Sequence, residues 1–474
     1  MFGTLYLISE WIIRIVMVPV ATRRRQPVAA LAWLAVIFAL PWPGLVVYLL
    51  FAGTGLGKQR AKRHAAVVEA MKRVDRLALT RDFAVRPEIA AEHQALINVA
   101  MNMAGRPILA GHNADLIADT DVMIERLIAD IDAAEHHVHL LFYIYRDDAT
   151  GRRVAEALAL AKRRGVQCRV LVDAAGSRRL IGALPKFFAA NKIEFHRVLP
   201  VNPIRSRLAR VDLRNHRKLA VIDGRIAYTG SQNIVDANYG HDDLAWHDLM
   251  VRLTGPAVTH LQTVFLEDWY STTDDVLEDP AMIRVPALPG EGDVSVQVVP
   301  SGPIYPTDAL QNLVVQAIHS AQRRLILTSP YFVPDEPALL ALKVAVMRGA
   351  RVDLVVPAGG DHPVVTAAGR AYFDELLEAG VNIHLYRDGL LHSKTMTVDD
   401  AFAMIGSANF DIRSFNLNFE LNLLLYGPAI TAKLRLLQQQ YIEQSDALTL
   451  ASWRRRTGWR TMIDNAAKLL SPIL

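Results

Sequence analysis

The chain has 474 residues, of which 51% are hydrophobic and 21% are charged, so it can form large buried cores and is not a disordered protein. Its net charge of +4 is too balanced for a protein that coats nucleic acid. The single cysteine, Cys168, excludes an internal disulfide framework and any zinc site built from several thiolates. At ~150 residues per domain, this length indicates about three structural units.

The N-terminal region contains two apolar segments that predict attachment to a membrane. Residues 28–51 carry no charge and are long enough to cross ~30 Å of hydrocarbon as a helix. A shorter apolar run at 4–20 contains Glu10 and Arg14, which lie four residues apart and can pair on a helix. A secretory signal peptide fits poorly, because no basic cluster precedes the first apolar run. We therefore predict that residues 1–57 anchor the chain in a membrane.

Basic residues follow both apolar segments, at 23–25 and at 58–63. Because basic flanks favour the cytoplasmic side, a complete second span would place these two clusters on opposite sides of the membrane. The alternative is that Pro41-Trp42-Pro43 breaks the second segment into a re-entrant hairpin, which returns both clusters to one side. In either case, we expect the rest of the chain to lie in the cytoplasm.

The rest of the chain contains an internal repeat, preceded by a polar stretch at 58–115 that has helical spacing and is predicted to be a connector. Each copy has an apolar strand, a helical stretch that ends in Arg-Gly, and a second apolar strand. This order is typical of βαβ units in largely parallel sheets. A linker rich in Pro and Gly at 280–303 separates the copies. We predict an α/β fold with two domains, 116–285 and 286–474, in a pseudo-two-fold arrangement, the second ending in a basic tail that contains Trp.

Each copy ends in the same polar pattern, His-x-Lys followed by Asp and then by Gly-Ser-x-Asn. The spacing is identical in the two copies, which makes a chance match improbable. On a strand, residues two apart point to the same side, so the His and Lys of each copy are expected to project together into a pocket. The pattern consists of His216, Lys218, Asp223, Ser231 and Asn233 in the first copy, and of His392, Lys394, Asp399, Ser407 and Asn409 in the second.

Two such pairs around one point suit the chemistry of a phosphodiester. Lysine and asparagine side chains can hold the non-bridging oxygens and stabilise the charge that develops on phosphorus. One neutral histidine can attack phosphorus while the other, protonated, donates to the leaving alkoxide. We expect neither a metal nor a cofactor to be required, since the lysines supply the positive charge.

The remaining polar residues of the pattern admit structural roles. Asp223 and Asp399 stand at predicted strand ends, which favours a positioning role over direct chemistry. Ser231 and Ser407 either bind phosphate or cap a turn, and the pattern does not decide between these two roles.

A histidine nucleophile also needs a partner for its second ring nitrogen, usually a carboxylate. Downstream of each motif, one carboxylate is followed by an apolar strand: Asp248 in the first copy and Glu420 in the second. We predict that these two carboxylates orient the two histidines.

These duplicated motifs resemble those of the phospholipase D superfamily, and the chain looks most similar to the bacterial cardiolipin synthases. The resemblance covers nearly the whole chain, including the paired apolar segments and residues 411–420. It implies that a histidine takes the phosphatidyl group from one phosphatidylglycerol with release of glycerol, and that a second phosphatidylglycerol then receives this group to form cardiolipin. In relatives the first-motif histidine is usually the nucleophile, which implies His216 here, with His392 as general acid and then base. The sequence alone does not break the symmetry between the two.

The same resemblance implies that the partners are phosphatidylglycerol, cardiolipin and the lipid bilayer of the bacterial inner membrane, and it leaves a homo-oligomer open. The nearest alternative is a membrane-bound phospholipase D that hydrolyses phospholipid to phosphatidic acid, and phosphatidylethanolamine also stays open as a donor. A nuclease, and with it a nucleic-acid partner, is disfavoured by the membrane segments, and a non-catalytic scaffold by the intact motifs. The mixture of Trp and Arg at 453–460 is typical of a membrane interface.

Overall fold

The structure is a computed structural model, and it describes residues 2–23, 27–52, 78–178, 181–200, 212–239, 245–273, 292–305 and 308–471. The chain divides into two compact units. The smaller unit comprises residues 1–63 and 201–213, and the larger unit, called the body below, comprises residues 64–200 and 214–474.

The smaller unit contains three helices: α1 (Phe2–Thr22), α2 (Pro27–Ala39) and α3 (Pro41–Phe51). The second apolar segment is therefore broken, because Pro41 has no N–H and holds Leu40 outside the helical region at φ −135° and ψ 80°. At 1.5 Å per residue, α2 and α3 are roughly 20 and 17 Å long, each too short to cross the hydrocarbon. In the described part of the chain, one helix, Gly3–Thr22, is long and apolar enough to span a membrane.

Side-chain contacts define the path of these three helices. Trp42 Nε1 donates to Ser9 Oγ at 3.1 Å and Tyr48 OH donates to the Val20 carbonyl at 3.2 Å, so α3 runs parallel to α1. Helix α2 runs in the opposite direction to both, with the Arg14 Nε donating to the carbonyl of Phe38, near the α2 C-terminus. This path matches the hairpin alternative, while the side of the membrane on which the body lies stays a prediction.

The body consists of strands and helices that repeat in order along the chain. Its described strands are β1 (Leu109–Ile117), β2 (His137–Phe142), β3 (Gln167–Asp173), β4 (Glu194–Val198), β5 (Lys218–Ile222), β6 (Ile226–Gly230), β7 (Trp246–His247), β8 (Met250–Thr254), β9 (Val294–Ser301), β10 (Arg324–Thr328), β11 (Phe332–Val333), β12 (Arg351–Pro357), β13 (Asn382–Tyr386), β14 (Leu390–Leu391), β15 (Thr395–Val398), β16 (Phe402–Gly406), β17 (Phe410–Asp411), β18 (Glu420–Tyr426) and β19 (Ser445–Ala447).

The helices of the body connect and cover these strands. They are α4 (Gln94–Ala104), α5 (Thr120–Asp132), α6 (Ala149–Arg163), α7 (Leu184–Ala190), α8 (Val258–Thr273), α9 (Ala309–Ser320), α10 (Glu336–Met347), α11 (Pro363–Arg370), α12 (Phe373–Glu378), α13 (Ile412–Asn416), α14 (Pro428–Glu443), α15 (Leu450–Arg454) and α16 (Gly458–Lys468). Two short 3₁₀ helices, Ala78–Phe83 and Ala91–His93, precede α4.

One sheet runs through the body in the order β19-β13-β12-β10-β15-β16-β18-β9-β1-β8-β6-β5-β2-β3-β4. Outward from the antiparallel β1–β9 pair, equivalent strands of the two repeats follow in the same order. We call the β1–β8 half the first lobe and the β9–β19 half the second lobe. The two lobes are α/β domains in a pseudo-two-fold arrangement, as predicted. Strand β1 crosses the predicted boundary at 115/116, and β9 lies inside the stretch predicted as a linker.

The expectation of largely parallel sheets is wrong. Within this sheet, parallel pairing is confined to β2-β3-β4 and β10-β12-β13, which are the βαβ units of each lobe. The strands that carry the His-x-Lys motifs, β5 and β15, instead form antiparallel hairpins with β6 and β16. Only a few residues separate the two strands of each hairpin, and a connection this short allows antiparallel pairing alone.

A shared core fixes the two lobes relative to each other. Leu261 and Phe265 of α8 cluster with Leu434 of α14 and with side chains of the motif hairpins, Leu219 and Ile405. Each such side chain contributes about 1.5–3 kcal/mol when fully buried. The two motif strands are therefore held in one rigid frame, which determines where their polar ends meet.

Candidate active site

Each motif histidine lies just before a strand and is bound through its backbone to the opposite lobe. The His216 N–H donates to the carbonyl of Phe419 at 2.9 Å, and the His392 N–H donates to the carbonyl of His247 at 2.8 Å. Short parallel pairings place residues 214–216 beside 418–420, and residues 390–392 beside 246–248. Both histidines are therefore located at the junction of the two lobes.

The two predicted carboxylates contact the histidines in a crossed arrangement. Glu420 of the second lobe lies 3.1 Å from the Nδ1 of His216, and Asp248 of the first lobe lies 2.6 Å from the Nδ1 of His392. The sequence did not indicate which carboxylate meets which histidine. Because Nδ1 is engaged in both cases, Nε2 is the ring nitrogen left for chemistry.

The two serines lie behind the carboxylates. Ser231 Oγ donates to Asp248 at 2.6 Å, and Ser407 Oγ donates to Glu420 at 2.5 Å. Each hydroxyl also accepts a backbone N–H from the residue that follows its carboxylate. The geometry therefore favours a role for these serines in holding the carboxylates rather than in contacting phosphate.

The lysines project to the same side as the histidines, as the strand periodicity predicted. Lys218 Nζ donates to the His216 carbonyl at 2.6 Å, and Lys394 Nζ donates to the His392 carbonyl at 2.5 Å. Both side chains are buried, and this burial lowers the pKa of Lys218 to about 8 and the pKa of Lys394 well below its usual value. An anion bound beside these lysines would favour their charged form.

The asparagines reach the cavity but differ in their bonding. Asn233 Oδ1 accepts the backbone N–H of Ile144 at 3.0 Å. Asn409 Oδ1 is buried and has no hydrogen-bond partner within the described part of the chain, although it lines the same cavity. A buried amide oxygen of this kind is costly to leave unpaired, so a ligand hydroxyl is a fitting partner.

Asp223 and Asp399 are not brought into the cavity. Each lies in a tight turn at the far end of its motif strand, with φ near +50°. Asp223 accepts the backbone N–H groups of 135–137 at 2.8 Å, and Asp399 accepts those of 322–324 at 2.8–2.9 Å. This geometry supports the positioning role, since each carboxylate joins its motif hairpin to the start of the neighbouring strand, β2 or β10, which begins the βαβ unit of that lobe.

A cavity of about 410 Å³ opens between the lobes, and both motif histidines line it. Its walls include residues that sequence reasoning did not assign to the site: Arg214, Tyr239, Trp246, Tyr331, Asp361 and Arg413. Arg214 and Trp246 stand two residues before His216 and Asp248, so proximity to the motifs was a usable signal. Asp361 comes from the loop after β12 and carried no such signal.

Aromatic rings contact both histidines. The Tyr143 ring lies 4.9 Å from the His216 ring, and the Trp246 ring lies 4.9 Å from the His392 ring, each edge to face. Tyr331 OH donates to both oxygens of Asp361 at 2.7 and 2.9 Å. The walls beside both histidines are therefore partly aromatic.

The charge states follow from burial and from the crossed pairs. Burial lowers the pKa of both histidines, to about 4 for His392, and the adjacent carboxylates only partly oppose this. Burial alone would raise the pKa of Glu420 and Asp248, but the imidazoles and lysines beside them hold both pKa values below the usual range. These directions favour neutral imidazoles and ionised carboxylates at neutral pH.

Comparison with known proteins agrees with this arrangement. A family described as cardiolipin synthase, phospholipase D-like domain, matches residues 127–269 and 314–441, one stretch in each lobe. A second family, described as phospholipase D-nuclease N-terminal, matches residues 11–53. Together the two stretches of the first family cover more than half of the chain.

Similar proteins align over the full length. Cardiolipin synthase A of Serratia proteamaculans (strain 568) is 36% identical over 485 residues, covering 100% of this chain and 97% of that protein. Cardiolipin synthase A of Pectobacterium carotovorum subsp. carotovorum (strain PC1) is also 36% identical, with the same coverage. The phosphatidylserine synthase structure from Haemophilus influenzae Rd KW20 shares the fold, with a TM-score of 0.63 at 17% identity over 81% of this chain and 100% of that chain. The chain belongs to the cardiolipin synthase family of phospholipase D-like proteins.

Proposed function

We propose that this protein transfers a phosphatidyl group from one phosphatidylglycerol to another, forming cardiolipin and releasing glycerol. The observation that carries the proposal is the crossed site: two histidines face one cavity, and each is held at Nδ1 by a carboxylate of the opposite lobe. This arrangement leaves two reactive Nε2 atoms, which suits a double displacement at phosphorus.

In the first step, His216 Nε2 attacks the phosphorus of the donor. The N–P bond forms as the bond from phosphorus to the glycerol oxygen breaks, and His392 donates its proton to that oxygen. Burial and Lys394 lower the pKa of His392 to about 4, so the anionic phosphodiester itself has to favour the protonated form. Glu420 stabilises the positive charge that develops on His216.

In the second step, the acceptor replaces the released glycerol. The now neutral His392 removes the proton from the acceptor hydroxyl, the new P–O bond forms, and the N–P bond to His216 breaks. Lys218, Lys394 and Asn409 stabilise the non-bridging oxygens in both steps. The aromatic lining limits access of water to the phosphohistidine, which favours transfer over the hydrolase alternative.

The acceptor of this reaction carries a phosphate of its own, unlike water or glycerol. Arg214 and Arg413, one from each lobe, line the cavity, and a guanidinium presents paired N–H donors that match the oxygens of a phosphate. We infer that this guanidinium pair holds the acceptor phosphate while the acceptor hydroxyl lies at the histidines. Selection of a phosphate-bearing acceptor distinguishes a synthase from a hydrolase that uses the same histidines.

The finer assignments are also proposals. The two lobes correspond to the predicted domains 116–285 and 286–474, with the N-terminal helices in the bacterial inner membrane and the body in the cytoplasm. The lipid partners are phosphatidylglycerol and cardiolipin, no nucleic acid takes part, and a homo-oligomer stays open. Protease accessibility of tags inserted at residues 24 and 60 tests the orientation, since the hairpin path predicts that both tags are cleaved from the same side.

The direct test incubates the purified full-length protein with vesicles of labelled phosphatidylglycerol in the presence of EDTA. Cardiolipin with an equal amount of released glycerol is the expected result. Phosphatidic acid without cardiolipin would contradict the synthase and favour the hydrolase. Absence of any phospholipid turnover, with and without added divalent cations, would overturn the proposal.

A further inference from the structure

Helix α16 (Gly458–Lys468) has one face packed on the body and one face that is apolar and exposed. On the packed face, Asp464 is buried and accepts from Arg456 at 2.6 Å. On the opposite face, Trp459 is 65% exposed and Met462 is 52% exposed, and Leu469 in the turn that follows is 81% exposed. A surface helix normally turns its apolar face inward, so this orientation requires a reason.

The exposed apolar residues form a local group rather than a scatter. Ile463 and Leu470 are also exposed, so five large apolar side chains lie on the surface between 459 and 470. Elsewhere in the described body, exposed apolar residues such as Leu160 and Leu436 are widely separated along the chain. Single exposed apolar residues are ordinary, whereas a contiguous group marks an interaction surface.

The position of this surface links it to the cavity. Helix α16 packs along α11, which begins at Pro363. His362 and Val365, at the start of α11, line the cavity between the lobes, and Val364 between them is exposed. The helix that carries the exposed apolar face therefore packs on a helix whose first residues line the candidate active site.

Charge indicates which partner this surface fits. Arg455 and Arg460 are exposed beside Trp459, so cations border the apolar face. An amphipathic helix with Trp and Leu on one face and basic residues at its edge suits the interface of an anionic bilayer. The substrates of the proposed reaction impose the same geometry, because their acyl chains have to stay in the bilayer while their headgroups enter the cavity.

We propose that α16 is an interfacial helix that inserts its exposed apolar face, Trp459, Met462, Ile463, Leu469 and Leu470, into the anionic bilayer and so places the rim of the cavity against the lipid surface. This proposal rests on the proposed function, since it assumes lipid substrates. The sequence predicted that the whole stretch 453–460 lies at a membrane interface. Trp453 is only 7% exposed and its ring lies 5.2 Å from that of Phe373, so this residue anchors the C-terminal segment to the body. The interfacial residues therefore begin at Trp459.

Depth measurements test the docking directly. The only native cysteine, Cys168, is fully buried and burial raises its pKa to about 11, so a nitroxide attached to a Met462→Cys variant labels one site. In vesicles of phosphatidylglycerol and phosphatidylcholine, we expect this label to be accessible to oxygen and protected from a water-soluble nickel chelate. The matched control is Leu160→Cys on α6, an exposed apolar position that should report bulk water.

Two outcomes of that measurement would overturn the proposal. A Met462 label as accessible to the nickel chelate as the Leu160 label would place α16 in water. Protection from both reagents would mean that protein covers this face, either a second copy or another segment of the chain.

Turnover separates this proposal from the proposed function. For an Ile463→Asp variant, we expect the ratio of activity on phosphatidylglycerol vesicles to activity on monomeric dihexanoyl phosphatidylglycerol to fall about ten-fold, because a charge now has to enter the interface. An unchanged ratio would contradict docking and leave the synthase proposal intact. Absence of cardiolipin-type product from the wild-type protein with both substrates would instead contradict the proposed function.

Discussion

The two halves of the cavity are built on the same scaffold but differ in the residues beside the histidines. The backbone pairing places Arg214 and Asn418 next to the His216–Glu420 pair. The equivalent positions next to the His392–Asp248 pair are Leu390 and Trp246. The duplicated chemistry is thus retained at the centre, whereas the surroundings have diverged.

This difference fits a reaction with two lipids in unequal roles. One half of the cavity offers the guanidinium groups of Arg214 and Arg413 beside Tyr143, and the other offers Trp246 and Tyr331 with the carboxylate of Asp361. A phosphate is suited to the first half, and an uncharged polyol headgroup is suited to the second. A symmetric cavity would offer the same contacts to donor and acceptor. In this asymmetric cavity, two identical lipid molecules contact different residues according to the half in which each one binds.

Removal of either histidine is expected to have the largest effect. His216→Ala and His392→Ala should each reduce cardiolipin formation by roughly 10⁴-fold or more, since one loses the nucleophile and the other the proton donor. The two variants should differ with a phosphatidyl ester of p-nitrophenol, whose leaving group needs no proton. His392→Ala is expected to release p-nitrophenol in a burst, and His216→Ala is not. If only the His216→Ala variant released a burst of p-nitrophenol, His392 would be the nucleophile and His216 the proton donor.

The crossed carboxylates are expected to have the next largest effect. Glu420→Gln and Asp248→Asn should each lower kcat by about 10²–10³-fold, because each leaves a histidine without its charge partner. Histidine NMR signals distinguish the crossed arrangement from pairing within a lobe. Glu420→Gln should shift the resonances of His216 and leave those of His392 in place, and the reverse result would contradict the structure.

Substitution of Arg214 and Arg413 tests whether their half of the cavity binds the phosphate of the acceptor. For Arg214→Gln and Arg413→Gln, we expect cardiolipin formation to fall about ten-fold more than exchange of labelled glycerol into phosphatidylglycerol, because glycerol carries no phosphate. Arg126→Gln, a surface variant, serves as control. An equal loss of both reactions would mean that these arginines act on the donor phosphate or on folding instead.

The smallest expected effect is in the pH profile. Burial lowers the pKa of Lys218 to about 8, so this group is charged below pH 8 and loses its charge as the pH rises through that value. At pH 8.5, kcat/KM should be roughly four-fold below its plateau, where an ordinary lysine would cause no loss. A Lys218→Arg variant that retains measurable activity should lack this alkaline decline. A decline that persists unchanged in that variant would assign the titration to another group.

The sequence was sufficient for those parts of the site that depend on local geometry. His216 and Lys218 share a face because residues two apart do so on any strand, and Asp223 positions a turn because it ends a motif strand. The break at Leu40 was one of two alternatives that the sequence left open, and it rests on the proline that comes next.

Features that depend on packing between distant segments were not predictable. The crossing of Glu420 and Asp248 arises from the junction of the lobes, which no spacing within one copy reports. Asp361 enters the cavity from a loop whose path is determined by the packing of α11. The sheet was expected to be largely parallel because the buried strands of βαβ units and of hairpins have similar apolar composition.

The exchange of carboxylates between lobes has a consequence for how such a chain can change over time. Neither lobe contains a complete histidine–carboxylate pair, so a lobe separated from its partner would lose its chemistry. A substitution at Glu420 affects the histidine of the first lobe, and a substitution at Asp248 affects the histidine of the second lobe. The residues at the rim of the cavity can therefore differ between the two repeats, as they do. The histidines and carboxylates at the centre have to stay matched, because each lobe depends on a residue of the other.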